Sequence, residues 1–164
     1  MPNKAYAVLY QANEEEGDGW MYFPIKRQDQ TFGGMPQFFG GTKNLGESDR
    51  VTITREMSEE SDGLLSLAAG GLYLVHSDAQ EDGSVYNFYV ATQFTGKLVV
   101  GPFNNPEMQA LSRFLAQQGE SDTVVQLLEH LRIVPTEEFD LSFTYKAFTQ
   151  ALAWAQRMSV AANE

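Results

Sequence analysis

The succession of apolar and polar positions divides the chain into a strand-like first part and a helix-like last part. Residues 4–11, KAYAVLYQ, form a short run of β-formers and alanine and predict a first strand. The polar stretch NEEEGDG at 13–19 is a turn. WMYFPIKR at 20–27 then resumes β-type composition, with Pro24 favouring an edge or a bend. A loop over 28–35 leads into Pro36, Gln37, Phe38, Phe39 and the pair Gly40-Gly41. Ser48 is a good N-cap and Asp49 places an acid in the first turn, so a helix is predicted over 49–61. Residues 64–71 are expected as a loop or short apolar link. The runs 72–76 and 85–94 flank the acidic turn DAQEDGS and predict a hairpin, with another short strand at 97–100.

After Pro102 the spacing becomes helical. Asn105-Pro106-Glu107 reads as a cap, a first-turn proline and an acid, and Met108, Leu111 and Leu115 follow up to Gly119, which predicts a helix there. Ser121 opens a second helix carrying Val124, Val125, Leu128 and Leu131. A third, over 142–158, puts Ala147, Ala151, Leu152, Trp154 and Ala155 on one side. No repeat, low-complexity tract or linker interrupts the chain, so residues 1–164 are read as one domain.

Composition narrows the partners. The net charge is −11 with only eleven basic residues, which disfavours bulk nucleic-acid and anionic-membrane binding. No apolar run approaches the roughly 20 residues of a membrane span. The N-terminal apolar patch meets acids almost at once, so no secretory signal is expected and the default location is cytoplasmic. The absence of cysteine removes disulfides, thiolate metal sites and cysteine nucleophiles. Neither histidine, His76 or His130, is assigned a catalytic role.

The helix predicted over 49–61 carries the candidate chemistry. At about 100° per residue, Glu56, Glu59 and Glu60 fall within a narrow arc beside an apolar stripe that includes Ile53 and Met57. Three crowded carboxylates repel one another unless a cation, a basic neighbour or a shifted pKa relieves them, and hard divalent ions take such oxygen ligands. Arg55 offers one compensating charge. The competing reading is a solvated acidic face. Lys26 and Arg27, ending the second strand, stand either as surface charge or as cations meeting a substrate phosphate. The glycine segment is no P-loop, because Lys43 precedes Gly46 and no Gly-Lys-Ser/Thr closes it.

From Gly41 to Gly63 the sequence resembles the Nudix hydrolases, whose signature is G, five residues, E, seven residues, then R-E-U-x-E-E-x-G-U with U bulky and apolar. Gly41, Glu47, Arg55, Glu56, Met57, Glu59 and Glu60 match in register. Asp62 stands where the last glycine belongs and Gly63 follows it, so either Asp62 takes a left-handed cap or Gly63 caps a longer helix. Phe39 replaces the proline that commonly precedes the glycine pair. The resemblance implies an α/β fold, the α/β/α sandwich with a mixed sheet, here with additional C-terminal helices.

The activity implied is hydrolysis of the diphosphate linkage of a nucleoside diphosphate derivative, a nucleotide sugar or a nucleoside triphosphate, with Mg²⁺ or Mn²⁺ as cofactor. By that resemblance Glu56 and Glu60, with Glu59 and the Gly41 carbonyl, are metal ligands. Glu56 or Glu59 takes the proton of water, Arg55 orients the glutamates, and Glu47 supports the helix start. Lys26, Arg27 and Phe39 are the candidate substrate contacts. An acid from outside the helix is also implied, with Glu81, Asp82, Glu137 and Glu138 as candidates. A homodimer is compatible with the resemblance, and the alternative function is a catalytically silent nucleotide-binding or regulatory module.

Overall fold

A computed structural model of the chain describes residues 3–13, 18–96, 98, 101–116, 127–129 and 142–161. Its centre is strand β1 (Lys4–Asn13). One edge of β1 runs parallel to β6 (Val85–Ala91), from the pair Lys4 and Tyr86 to the pair Leu9 and Ala91. The opposite edge is shared end to end by two antiparallel partners, β3 (Phe39–Thr42) along residues 4–7 and β2 (Asp18–Lys26) along residues 9–13. Beyond β6 lies β5 (Leu72–Ala79), and beyond β2 lie β9 (Met108–Ala116) and β8 (Gly101–Pro102), giving the order β5-β6-β1-β2-β9-β8 with β3 beside β1. The sheet is therefore mixed. The short strands β4 (Leu65–Leu67) and β7 (Phe94–Gly96) form a separate antiparallel pair.

The two-residue period of β1 serves both faces of the sheet. Ala5, Ala7 and Leu9 pack with Phe39, Ile53 and Met57 beneath helix α1 (Asp49–Glu60), whereas Val8 and Tyr10 pack with Phe148, Ala151 and Leu152 of helix α2 (Phe143–Ala161). A helix on each face makes an α/β/α sandwich. Among the described residues no helix is long and apolar enough to cross a membrane.

The helix expected over 106–119 is a correction. Its residues Met108–Ala116 are strand β9, paired with β2, and residues 117–119 lie outside the described residues. Its misleading spacing has a physical source: the register shifts where Ile25 pairs with Ala110 and Lys26 with Met108, so Gln109 is an extra residue in the ladder. The bulge puts Met108 and Leu111 in the same core cluster despite their odd separation, which imitates a helical i, i+3 pair. Past it the alternation is regular, with Leu111 packed on the α1 side and Phe114 and Ala116 on the α2 side.

The second expected helix falls mostly outside the described residues, of which Leu127, Leu128 and Glu129 are helical. The third is α2, with Ser142 Oγ accepting from Tyr145 N at 3.2 Å. Lys97, Val99 and Val100 of the strand expected over 97–100 also lie outside the described residues, as do His130, Glu137 and Glu138. Part of the expected 64–71 link is strand β4.

Pro24 does not place β2 at an edge, since β2 lies between β1 and β9. The Pro24 carbonyl accepts from Gln37 N at 2.8 Å. A residue's N and O point to the same side of a strand, so the missing N–H faces the 35–37 segment and no bond to β9 is lost.

Candidate active site

Helix α1 is set by its own sequence and then tied to the sheet. Ser48 Oγ accepts from Val51 N at 3.2 Å. Asp49 in the first turn is held by Asn87 Nδ2 at 3.0 Å, by Lys43 Nζ at 2.8 Å and by the Tyr89 hydroxyl. Ile53 and Met57 are fully buried. That anchoring presents the adjoining stripe of the helix, with Glu56 and Glu60, to β3.

Arg55 is clamped between two of them. It donates to Glu47 through Nε at 3.1 Å and Nη2 at 2.9 Å, and to Glu56 Oε1 through Nη1 at 2.7 Å. Its Nη2 also reaches the Thr42 carbonyl at 3.1 Å, which fastens the helix to β3. Glu47 further accepts from Asn44 N at 2.7 Å and Thr52 Oγ1 at 3.0 Å. The Arg55 hydrogen bonds, with the Asn44 amide, hold the Glu47 carboxyl down at about 2. The guanidinium is thus committed to placing carboxylates.

Glu60 is the unusual group. It is 2% exposed, and its Oε1 accepts from Gly40 N at 2.8 Å. Burial pushes its carboxyl well above the usual carboxylate range, and the neighbouring charges of Glu56 and Glu107 add to that push. Glu56, half-buried, is raised for the same first reason, with Arg55 opposing. Gly41 leaves room beside it: a Cβ there would stand 3.0 Å from Glu56 Cδ, and the carboxylate would have to shift by a few tenths of an ångström. Glu59 faces solvent.

An acid outside the helix, the exposed Glu107 just before β9, lies near enough to Glu60 for its charge to help raise the Glu60 carboxyl. Sequence reasoning took Glu107 as a helix N-terminal residue and missed it; its place beside Asn105 and Pro106, in a turn leading to an apolar run, was the available signal. Glu81 and Asp82 are exposed in the β5–β6 turn, where Asp82 accepts from Ser84 N at 2.8 Å.

Of the proposed substrate contacts, Lys26 lines a cavity of about 200 Å³ together with Tyr6, Phe38, Phe88, Phe143 and Gln37. Phe39 does not reach it. It is fully buried against the α1 face, and Phe38, just before β3, packs on the other side of the sheet and lines the cavity. Arg27 instead donates to the Asn105 carbonyl at 3.2 Å, beside Asp29 at 4.0 Å. Tyr6 joins the cavity to the acids: it pairs with Gly40, and burial followed by the charge of Glu60 raises its phenol. A larger apolar cavity of about 530 Å³, lined by Tyr10, Tyr73, Trp154 and Met158, lies toward the other end of β1, and no carboxylate lines it among the described residues.

The donor set suits a hard cation. It is all oxygen, it holds a buried carboxylate, and its one guanidinium is shared with Glu47. Among the described residues no group of three or more acidic or histidine side chains is placed to hold a metal ion.

The class defined by this arrangement is an α/β/α sandwich whose acidic helix lies against a glycine strand. Neither a family profile nor a curated protein sequence matches the chain. Solved structures do. MutT from Aliivibrio salmonicida and Vibrio cholerae is similar at 17% identity and a TM-score of 0.56, over 91% of this chain and 98% of that one. The Nudix domain of Shewanella oneidensis NrtR, solved in complex with ADP ribose, is similar at 14% identity and a TM-score of 0.53, over 92% and 86%. A MutT/nudix family protein from Enterococcus faecalis is similar at 19% identity and a TM-score of 0.51; 70% of this chain spans 43% of that protein. The fold is that of the Nudix hydrolases.

Proposed function

We propose that this protein is a metal-dependent hydrolase that cleaves the diphosphate linkage of a nucleoside diphosphate derivative. The observation that carries the reading is the buried Glu60 carboxyl, set beside Glu56 and Glu107 with one shared guanidinium to offset them. An arrangement so costly to ionise is explained by a cation that binds the ionised form. Glu56, Glu60 and Glu107 would hold Mg²⁺, or Mn²⁺, with Glu59 and the Gly41 carbonyl at its margin. When bound, the ion supplies charge neutralisation at phosphate oxygens and a lowered pKa for an attacking water.

The chain's own groups divide the remaining work. Arg55 holds Glu56 through Oε1, and among the described residues nothing donates to Glu56 Oε2, the atom assigned to take the proton from water. Gly40 N fixes Glu60. Lys26 and the aromatic walls of the 200 Å³ cavity seat the nucleoside part, with Tyr6 between that seat and the acids.

A panel of nucleoside triphosphates, nucleotide sugars and ADP-ribose, assayed for phosphate or nucleotide release, tests the reading. Turnover should require Mg²⁺ and stop with EDTA. Nucleotide binding without turnover would assign the chain to the silent binding modules instead. No turnover and no calorimetric Mg²⁺ binding would remove the metal reading altogether. For the substrate found, Lys26→Ala should raise KM by about tenfold with kcat near wild type, the loss of one charged hydrogen bond made equally before and during reaction. A fall confined to kcat would contradict the seating role.

A further inference from the structure

Position 62 holds an aspartate in the left-handed region, at φ 57°, where glycine is the favoured residue. Asp62 N donates to the Glu59 carbonyl at 3.4 Å and Gly63 N to the Ser58 carbonyl at 2.7 Å, the paired bonds that close a helix at a left-handed residue. Glycine would complete that cap without a side chain. The aspartate does something more: its Oδ2 accepts from Asn104 N at 2.7 Å.

The next residue extends the connection in three directions. Asn105 Nδ2 donates to the Glu59 carbonyl at 2.9 Å, which binds the end of α1. Its Oδ1 accepts from Glu107 N at 2.7 Å and from Met108 N at 3.1 Å, so the turn carrying Glu107 closes around one side chain. Its carbonyl accepts from Arg27 Nη1 at 3.2 Å, while Arg27 N donates to the Glu107 carbonyl at 2.9 Å. Segment 104–108 is thereby clipped to the end of α1 on one side and to the end of β2 on the other. Both elements bear on the acid cluster, and Glu107 is the group held between them.

We infer that Asp62 is a positioning residue which, with Asn105, fastens this segment to α1 and so fixes the Glu107 carboxylate beside Glu60. The inference rests on the proposed hydrolase for what the cluster does, and on the hydrogen bonds alone for how Glu107 is placed. A capping residue and a positioning residue respond in opposite ways to glycine. Glycine takes the left-handed conformation without strain, so Asp62→Gly leaves the cap intact or improves it. Loss of the Asn104 bond removes one of the two ties between the segment and α1 and loosens it on that side.

The test compares Asp62→Gly, Asp62→Asn and wild type by amide hydrogen exchange without metal, by Mg²⁺ calorimetry and by turnover. Asp62→Gly should melt no lower than wild type, yet exchange faster at Asn104, Glu107 and Met108. Its Mg²⁺ affinity and kcat should fall about tenfold, the low end of what loss of a group supporting a metal ligand brings. Asp62→Asn keeps an oxygen acceptor and tolerates the left-handed conformation, so it should restore protection and most of the turnover. On a Glu107→Gln background Asp62→Gly should add no further loss. Unchanged exchange in Asp62→Gly, or faster exchange with wild-type Mg²⁺ affinity, overturns the inference. A wild-type protein that neither binds Mg²⁺ nor hydrolyses any of the panel overturns the proposed function, while the metal-free exchange still decides whether Asp62 holds the segment.

Discussion

Glu60→Gln is expected to abolish Mg²⁺-dependent turnover, by roughly 10³-fold or more, while making the metal-free protein more stable at neutral pH. Glutamine keeps the oxygen that accepts from Gly40 N and removes the charge that burial, Glu56 and Glu107 oppose. The sign follows from proton linkage. A carboxyl whose folded pKa lies above its unfolded value of about 4.5 contributes stability that is fully present below 4.5 and is lost as pH rises through the folded value. Metal-free wild type should therefore lose stability from pH 5 towards pH 8 relative to the variant. Every tenfold difference in proton affinity between the folded and unfolded carboxyl is worth about 1.36 kcal/mol, and each kcal/mol about 2–4 °C in a domain of this size. Mg²⁺ should recover that loss in wild type and leave Glu60→Gln unmoved. Melting curves at both pH values, with and without MgCl₂, check this; wild-type turnover or a wild-type Mg²⁺ response in Glu60→Gln would end the assignment.

Replacing the two adjacent glycines by alanine should separate folding from chemistry. Gly40 adopts φ +148°, and a Cβ there would stand 2.1 Å from the Ala5 carbonyl oxygen and 2.7 Å from Tyr6 Cα, both backbone atoms of the central strand. Nothing flexible can yield. Gly40→Ala should destabilise by about 3–5 kcal/mol, from strain in the dihedral and from parting β3 and β1. At Gly41 the φ is ordinary and the added Cβ meets the Glu56 carboxyl instead, 3.0 Å from Cδ and 3.1 Å from Oε1. Gly41→Ala should unfold in denaturant close to wild type and lose turnover by about 10–100-fold as Glu56 is displaced. Equal stability of the two variants would refute the different roles assigned to them.

The acidic helix was legible because its signals are local. The Ser48 cap, the acid at 49 and the apolar spacing of Ile53 and Met57 gave bounds that differ from the observed Asp49–Glu60 by one residue at the C-terminal end. Its ending was not legible, since Asp62 and Gly63 can each take a left-handed conformation, and in the structure both do. Segment 106–119 was misread because one bulge gives a strand the spacing of a helix, and the pairing that creates the bulge comes from β2, more than eighty residues earlier. Asn105 does satisfy two N–H groups as a cap would, but the chain then enters a strand.

The chain alone determined that an acidic helix would follow the glycine pair, because propensity, capping and periodicity act over one or two turns. Only the tertiary structure decided which carboxylates meet. Glu60 points inward and Glu59 outward by their relation to β3, Phe38 rather than Phe39 faces the cavity because the two pack on opposite sides of the sheet, and Glu107 arrives from a segment some fifty residues away. Charge proximity and burial depend on contacts between distant stretches of chain, and those contacts are absent from any local pattern.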